Sequence, residues 1–452
     1  MIKHITPTTP LTPLPVAKGH WLLKNLPSMG KNILSHFYDK EQALGKTYEN
    51  PIPFMRIICT SEPDFMRYVL QQNHRNYKKG KSYDVLKLVL GNGLVTSNGQ
   101  FWQKQRRLAQ PAFHKKSLED LFNSMGEVAV QYFDGLEAKR GTEIDIAREM
   151  MAVTAKIALK ALFSDNSEED MNAVYESMTE AQRYVSDVLN DPFARIKFPL
   201  NGRKKQFKKD MSVLNEVVLK AIAKRRKSTE KYPDLLQMMM DATYEDSNEQ
   251  MNDQQLMDEM ITMFSAGHET SANALAWTMH LLAQHPEIVA KMRTEIKTVC
   301  GDNLPGFQDL RQLTYIRQVI DEGMRLYPPV WGVSRTAIAA DEYRGVKINK
   351  DDVVFCLIYN AHHRADLYKN PKTFNPDRFE TAKVKEMPKM SYLPFGGGPR
   401  LCIGNMFALM EMQLLLVGLL QRFDFELIKD QVIDMEALVT LRPRYGIKMN
   451  LK

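Results

Sequence analysis

The sequence predicts a mainly helical protein with a minor β component, and three observations carry that prediction. Most of the chain repeats its apolar residues at three- and four-residue spacing, the period of a helix. β-like runs are few and short, at residues 54–60, 346–348, 353–357 and 438–451. One helix is long enough to cross a whole domain. Asn252 or Asp253 can cap it and Pro286 ends it, so residues 253–285 would extend for about 50 Å.

In chain order, the first 30 residues read as an extended arm marked by Pro7, Pro10, Pro13 and Pro15. A helix is expected from Asn32 to Lys46, a strand from Phe54 to Thr60 (FMRIICT), and a helix from about Pro63 to Gln71. The strands at 346–348 and 353–357 flank a polar Asn-Lys-Asp-Asp turn. With the C-terminal run near 438–451 they suggest a small sheet drawn from both ends of the chain. The 452 residues hold no Gly/Ser linker and no fixed-period repeat, so a single domain over 1–452 is expected.

Composition narrows the function classes. The chain is 44% hydrophobic and 25% charged, with net charge +7. The basic runs Arg203-Lys204-Lys205 and Lys224-Arg225-Arg226-Lys227 lack interleaved aromatics. They read as solvated helix ends, so no nucleic-acid partner is expected. Four cysteines, Cys59, Cys300, Cys356 and Cys402, share no CxxC spacing and are too few for a disulfide framework. A reducing cytoplasmic setting is expected. No window reaches the ~18 apolar residues of a membrane span.

The stretch FGGGPRLCIG, Phe395 to Gly404, is the most informative. An apolar helical run follows Cys402, so its sulfur lies near a helix N-terminus, where unpaired N–H groups and the helix dipole stabilise a thiolate. Gly396, Gly397, Gly398 and Gly404 let the backbone turn and approach a flat partner closely. Arg400, on the loop, can meet an anion. These features fit a haem, with sulfur on iron and the arginine on a propionate. The nucleotide-loop readings fail on spelling. GxGxxG laid on Gly396 and Gly398 would need glycine where Leu401 stands, and no GK[ST] follows. Midway along the long helix, Met263, Ala266, Gly267 and Thr270 share one unusually bare face.

FGGGPRLCIG resembles the haem-ligand loop of the cytochrome P450 family, matching at Phe395, Gly398, Arg400, Cys402 and Gly404. AGHET (Ala266–Thr270) resembles that family's oxygen-activating stretch, and EGMR supplies Glu322 and Arg325 in its Glu-x-x-Arg pattern. FNPDRF supplies Arg378, similar to the arginine completing a buried structural ion triad. WQKQR supplies Trp102 and Arg106, similar to a helix that meets haem propionates, and Arg335 looks like another propionate contact. The resemblance runs from roughly Lys46 to the C-terminus.

The resemblance implies a cytochrome P450-like fold with the long helix over haem b (iron protoporphyrin IX) ligated by Cys402. It implies a monooxygenase that hydroxylates a lipophilic molecule such as a fatty acid or terpenoid. Glu269 and Thr270 would handle protons. Ala266, Thr270, Val330, Val333 and Val439 would line the substrate. No fused reductase is read in the sequence, so a separate electron carrier is expected, a ferredoxin or flavodoxin with its reductase. The protein itself is expected to be a monomer. A peroxide-using peroxygenase is the alternative, and a non-catalytic haem sensor a third reading. The Glu269-Thr270 pair favours the monooxygenase.

Overall fold

The computed structural model describes residues 13–164, 167–190, 194–244 and 249–452. The described chain folds as two compact units, each assembled from separated segments. The first comprises residues 13–80, 331–371 and 387–401; the second comprises 81–330, 372–386 and 402–452.

The first unit is built on a five-stranded sheet. Its strands are β1 (Thr47–Glu49), β2 (Ile57–Thr60), β3 (Tyr77–Lys78), β4 (Val333–Ala337) and β5 (Val353–Cys356). Their spatial order is β1-β2-β5-β4-β3. The β2–β5 pair is parallel, with Ile58 opposite Val354. These strands are rich in β-branched residues; Ile58, Tyr77, Ala337 and Val354 form one apolar cluster with Phe65 and Val69, and Tyr48, Ile57 and Cys59 belong to a second.

The structure departs from the sequence reading at four points here. The strand expected from Phe54 begins at Ile57, because Phe54 adopts φ +62 in a turn that pairs Ile52 with Met55. The helix expected over 63–71 is α-helical only at Pro63–Arg67 and widens into a π turn at Tyr68–Gln72. The strands at 346–348 and 353–356 do not pair with each other. Val346–Ile348 pairs with Asp341–Tyr343, whereas β5 lies between β2 and β4. The polar turn explains the separation: Asp351 takes φ +69 and its N–H donates to Ala337 O, while the Asp352 carboxylate accepts the Asn349 N–H and pairs with Arg56. The expected extended arm holds a short helix, Leu26–Lys31, started by Pro27 within its first turn; residues 1–12 lie outside the described set.

The second unit is mostly helical. Four of its helices carry the features of interest: α1 (Gly99–Ala109), α2 (Asp253–Leu282), α3 (Thr314–Leu326) and α4 (Asn405–Arg422). The Asn252 side chain caps α2 by accepting the Gln255 N–H. The helix ends at Leu282, short of the expected His285, because His285 is the non-helical residue before Pro286, where the next helix starts. Phe264, Trp277 and the run Leu414–Leu420 are buried, and α2 packs against the 146–162 helix, α3 and α4. The C-terminal β run does not join the five-stranded sheet. Lys448–Leu451 pairs with Glu143–Asp145 and Phe425–Leu427, and Leu441–Pro443 pairs with Met435–Ala437.

Candidate active site

The cysteine loop begins in the first unit. Gly396 and Gly398 adopt φ +72 and +68, in the left-handed region that favours glycine. A Cβ at Gly398 would lie 1.9 Å from Leu70 O, so no larger residue fits without displacing backbone. Gly398–Arg400 then forms a single 3-10 turn, closed by the Leu401 N–H on Gly398 O at 3.0 Å.

Cys402 opens the last segment of the second unit. It precedes α4, whose N-cap is Gly404, and the Gly404 N–H reaches the sulfur. Cys402 is exposed, whereas Cys59 and Cys356 are fully buried and Cys300 half-buried. Surrounding protein pushes the Cys402 thiol up, opposed by the Gly404 N–H and by the Arg106 cation. Burial in turn lowers Arg106, and Cys402 pulls it back up. Trp102 is buried one helical turn before Arg106, and the Arg106 Nε donates to Gln110 Oε1 at 3.0 Å.

On α2 the bare face is open. Ala266 is exposed and Met263, Gly267 and Thr270 are half-buried, in a helix whose other residues are largely buried. A Cβ built at Gly267 meets nothing within 4 Å. The Thr270 hydroxyl donates to Ala266 O at 2.8 Å. Glu269 Oε1 accepts from the Thr440 hydroxyl at 2.6 Å, and Thr440 accepts from Asn273 Nδ2 at 3.2 Å. A hydrogen-bond chain from Asn273 through Thr440 thus holds the Glu269 carboxylate in place. Val439 is exposed next to Thr440, and Val330 is half-buried.

In the first unit, Arg335 on β4 is buried and its Nη1 donates to Ser334 O; Val333, on the same strand, is half-buried. Arg335 and Arg400 lie close enough to Lys79 that both guanidinium charges, after burial, hold the Lys79 ammonium well below its usual range. The two guanidinium groups stay charged and favour an anionic ligand.

Sequence reasoning missed Lys79. The signal was there in Tyr77-Lys78-Lys79-Gly80-Lys81, a basic run on a β-like stretch. Thr440 was missed as a partner of Glu269. Glu411 on α4 was missed as well. It is fully buried, burial pushes its carboxyl up to about 8, and the Ser271 hydroxyl beside it opposes the rise without meeting hydrogen-bond geometry.

In the structural triad, Arg325 Nε reaches Glu322 Oε2 at 2.6 Å and Arg378 Nε reaches Glu322 Oε1 at 3.2 Å. The Asn375 N–H adds a third donor to Glu322 at 2.9 Å.

The cytochrome P450 family model matches residues 14–450. The chain belongs to the cytochrome P450 family. It is 31% identical to cyclooctat-9-en-7-ol 5-monooxygenase of Streptomyces melanosporofaciens, over 81% of this chain and 80% of that protein. Cyclooctatin synthase of the same organism is 32% identical, over 80% and 79%. Carotene epsilon-monooxygenase of Arabidopsis thaliana is 28% identical, over 94% and 82%. The crystal structure of the cytochrome P450DA heme domain shares the fold at TM-score 0.89, with 24% identity and 97% of each chain covered. This P450 is an oxidoreductase, a monooxygenase, and its cofactor is haem. The donor set of the second unit fits that group: an exposed thiol with an N–H on its sulfur and the Arg106 cation acting on it. Among the described residues no helix is long and apolar enough to cross a membrane.

Proposed function

We propose that Cys402 ligates the haem iron and that this P450 hydroxylates a lipophilic organic substrate with one atom of dioxygen. The observation that carries the ligand assignment is the exposed Cys402 thiol, which alone of the four cysteines combines exposure with an N–H on its sulfur. Trp102 and Arg106, in the second unit, serve the propionates, and Arg335 and Arg400, in the first, are assigned the same role by resemblance alone. Phe395, Gly398 and Gly404 shape the cysteine loop. The whole chain serves as a single monooxygenase domain.

Thiolate-bound haem supplies dioxygen activation. The protein's part is to place protons and exclude water. Thr270 offers a hydroxyl on the open face of α2, at present turned to Ala266 O and free to rotate by one torsion. Glu269 holds or passes a proton at Oε1, where Thr440 donates to it. Ala266 and Gly267 keep that face clear of side chains.

Ala266, Thr270, Val330 and Val439 line the substrate in the second unit. Val333, in the first, is assigned to the same role by resemblance alone. The apolar character of Ala266, Val330, Val333 and Val439 agrees with relatives named for acting on cyclooctat-9-en-7-ol and carotene, both mostly hydrocarbon. Electrons come from a separate ferredoxin or flavodoxin and its reductase, serving a monomeric enzyme in the cytoplasm.

The deciding experiment is the carbon monoxide difference spectrum of the wild type and Cys402→Ser. The wild type should show the thiolate band and the variant should lose it. A thiolate band retained in the variant would assign the iron to another residue. Screening lipophilic compounds for a substrate-induced change in the haem spectrum then identifies the substrate class.

A further inference from the structure

We infer that residues 91–98, the strap between the 82–90 helix and α1, are latched onto the first turns of α2 by Asp258 and Glu259, and that the latch loosens as the solution becomes more alkaline. Two adjacent carboxylates take two strap N–H groups. The Asn92 N–H donates to Asp258 Oδ2 at 2.8 Å, and the Leu94 N–H donates to Glu259 Oε2 at 3.0 Å. A glutamine of α2 holds the second oxygen of each: Gln254 Nε2 donates to Asp258 Oδ1 at 2.9 Å and Gln255 Nε2 to Glu259 Oε1 at 2.8 Å. One turn on, the Thr262 hydroxyl donates to Leu90 O at 3.3 Å. The strap is also folded on itself. The Thr96 hydroxyl donates to Gly91 O at 2.7 Å, and the Ser97 N–H donates to Gly93 O at 2.9 Å.

Two glycines let the strap lie directly on the helix. Gly91 takes φ +51, and a Cβ there would lie 2.3 Å from Asp258 Cγ; a Cβ at Gly93 would lie 2.2 Å from Thr262 Oγ1. Asp258, Thr262 and Ala266 follow one another at four-residue steps, so they share a stripe of α2. The strap covers the first two, and the exposed Ala266 begins the open part. Lifting the strap therefore extends the open stripe toward the start of the helix and widens entry to it. That stripe is the substrate side under the function proposed above; the latch itself does not rest on that reading.

The latch holds two carboxylates side by side with no cation between them. Charged groups of the helices packed on α2 are engaged elsewhere: Lys87 with Asp84, Arg225 with Asp234, Arg226 with Asp253, Lys160 with Glu127, Asp241 with Lys231, and Glu322 with Arg325. Glu411 on α4 lies beside Ser271, three turns further along α2. Among the described residues Asp258 is the charge that acts on Glu259, and it acts to keep the proton on. Burial is the larger cause and raises the Glu259 carboxyl to about 7, against the opposing Leu94 N–H and Gln255. With the strap lifted, water reaches the carboxylate and its affinity for a proton returns toward the ordinary value of 4.5. The latched state thus holds a proton that the lifted state releases. Its advantage is full below about pH 4.5 and is lost as pH rises through about 7. The protonated carboxyl still accepts the Leu94 N–H through its carbonyl oxygen.

Amide hydrogen exchange of the full-length holoenzyme at pH 6 and pH 8, corrected for the intrinsic pH dependence of exchange, tests the latch. Opening of the 91–98 strap should rise about tenfold between the two in the wild type. Its amides should exchange faster than those of Leu414–Leu420 at both values, which shows that the opening is local. Glu259→Gln keeps the shape and an acceptor but cannot ionise, so its strap should open equally at both. Gly93→Ala pushes the strap off Thr262, so it should open more at both values and keep the wild-type ratio. Carbon monoxide spectra matching the wild type establish that both variants fold. Entry is read with n-butyl isocyanide, a neutral haem ligand, whose binding rate should rise from pH 6 to pH 8 in the wild type and stay level in Glu259→Gln. Exchange does not depend on which residue binds iron, so it remains readable if the Cys402 assignment fails. Four results overturn the inference: wild-type opening equal at both pH values, a wild-type ratio kept in Glu259→Gln, strap amides exchanging only as fast as Leu414–Leu420, or an isocyanide rate level across the range.

Discussion

Arg325 clasps Glu322 through two charge-assisted hydrogen bonds, Nε to Oε2 at 2.6 Å and Nη2 to Oε1 at 2.8 Å, with both side chains fully buried. The pair sits one turn apart on α3, and Arg378 joins the same carboxylate from the 376–379 turn. Removing one member leaves a buried charge uncompensated. Glu322→Ala should therefore destabilise the protein by about 3–5 kcal/mol, and Arg378→Ala by less, because Arg378 retains some exposure. Urea unfolding of the holoenzyme measures both. Equal, small losses would show that the triad is not a stabilising clamp.

Gly398 is held between a left-handed φ and the Leu70 carbonyl. Gly398→Ala adds a Cβ that would lie 1.9 Å from Leu70 O, so the loop must move. A cost of about 1–3 kcal/mol is expected, with weaker haem retention, because the shift passes directly to Arg400 and Cys402. Haem content after gel filtration, compared with Gly396→Ala, checks this. Gly396 shares the positive φ and has no neighbour within 4 Å of its Cβ, so it isolates strain from collision.

Thr270→Ala should leave haem binding intact and lower productive turnover by about 10²-fold, with electrons diverted to hydrogen peroxide. Thr440→Val should have a milder effect, since it removes the donor to Glu269 and leaves the carboxylate in place. Product formed per electron consumed is the measurement. An unchanged ratio in Thr270→Ala would remove Thr270 from proton handling.

Glu411 makes stability depend on pH. Burial raises its carboxyl to about 8, above the ordinary glutamate value near 4.5, so the folded state holds a proton that the unfolded chain releases. Its contribution is fully present below about pH 4.5 and is lost as pH rises through about 8, at up to about 1.4 kcal/mol per pH unit. Glu259 on α2 acts in the same direction. It accepts the Leu94 N–H and Gln255 Nε2, and burial raises it to about 7. Thermal unfolding from pH 6 to pH 9 should show a falling Tm in the wild type and a flatter profile in Glu411→Gln. Parallel profiles would mean that Glu411 is already ionised at pH 6.

The cysteine loop, the Glu-x-x-Arg pair and the long helix were legible because each depends on local chemistry. A left-handed turn demands glycine at 398. A capped, Pro-terminated apolar run makes α2. Residues three apart meet on one helix face, which brings Arg325 to Glu322. The strand partners were not legible. Val346–Ile348 and Val353–Cys356 look like a hairpin in the sequence, but strand pairing is non-local, and the left-handed Asp351 turn sends them to different neighbours.

By itself, then, the amino-acid sequence determined the glycine-built cysteine loop, the bare face of the long helix and the helical class, since spacing and backbone preference act within a few residues. Only the tertiary structure decided that Lys79 joins Arg335 and Arg400, that Thr440 holds Glu269, and that Glu411 is buried beside Ser271. Those relations join residues 140 positions or more apart. They exist because packing removes water from charged and polar groups and leaves each with whatever partner the fold brings near.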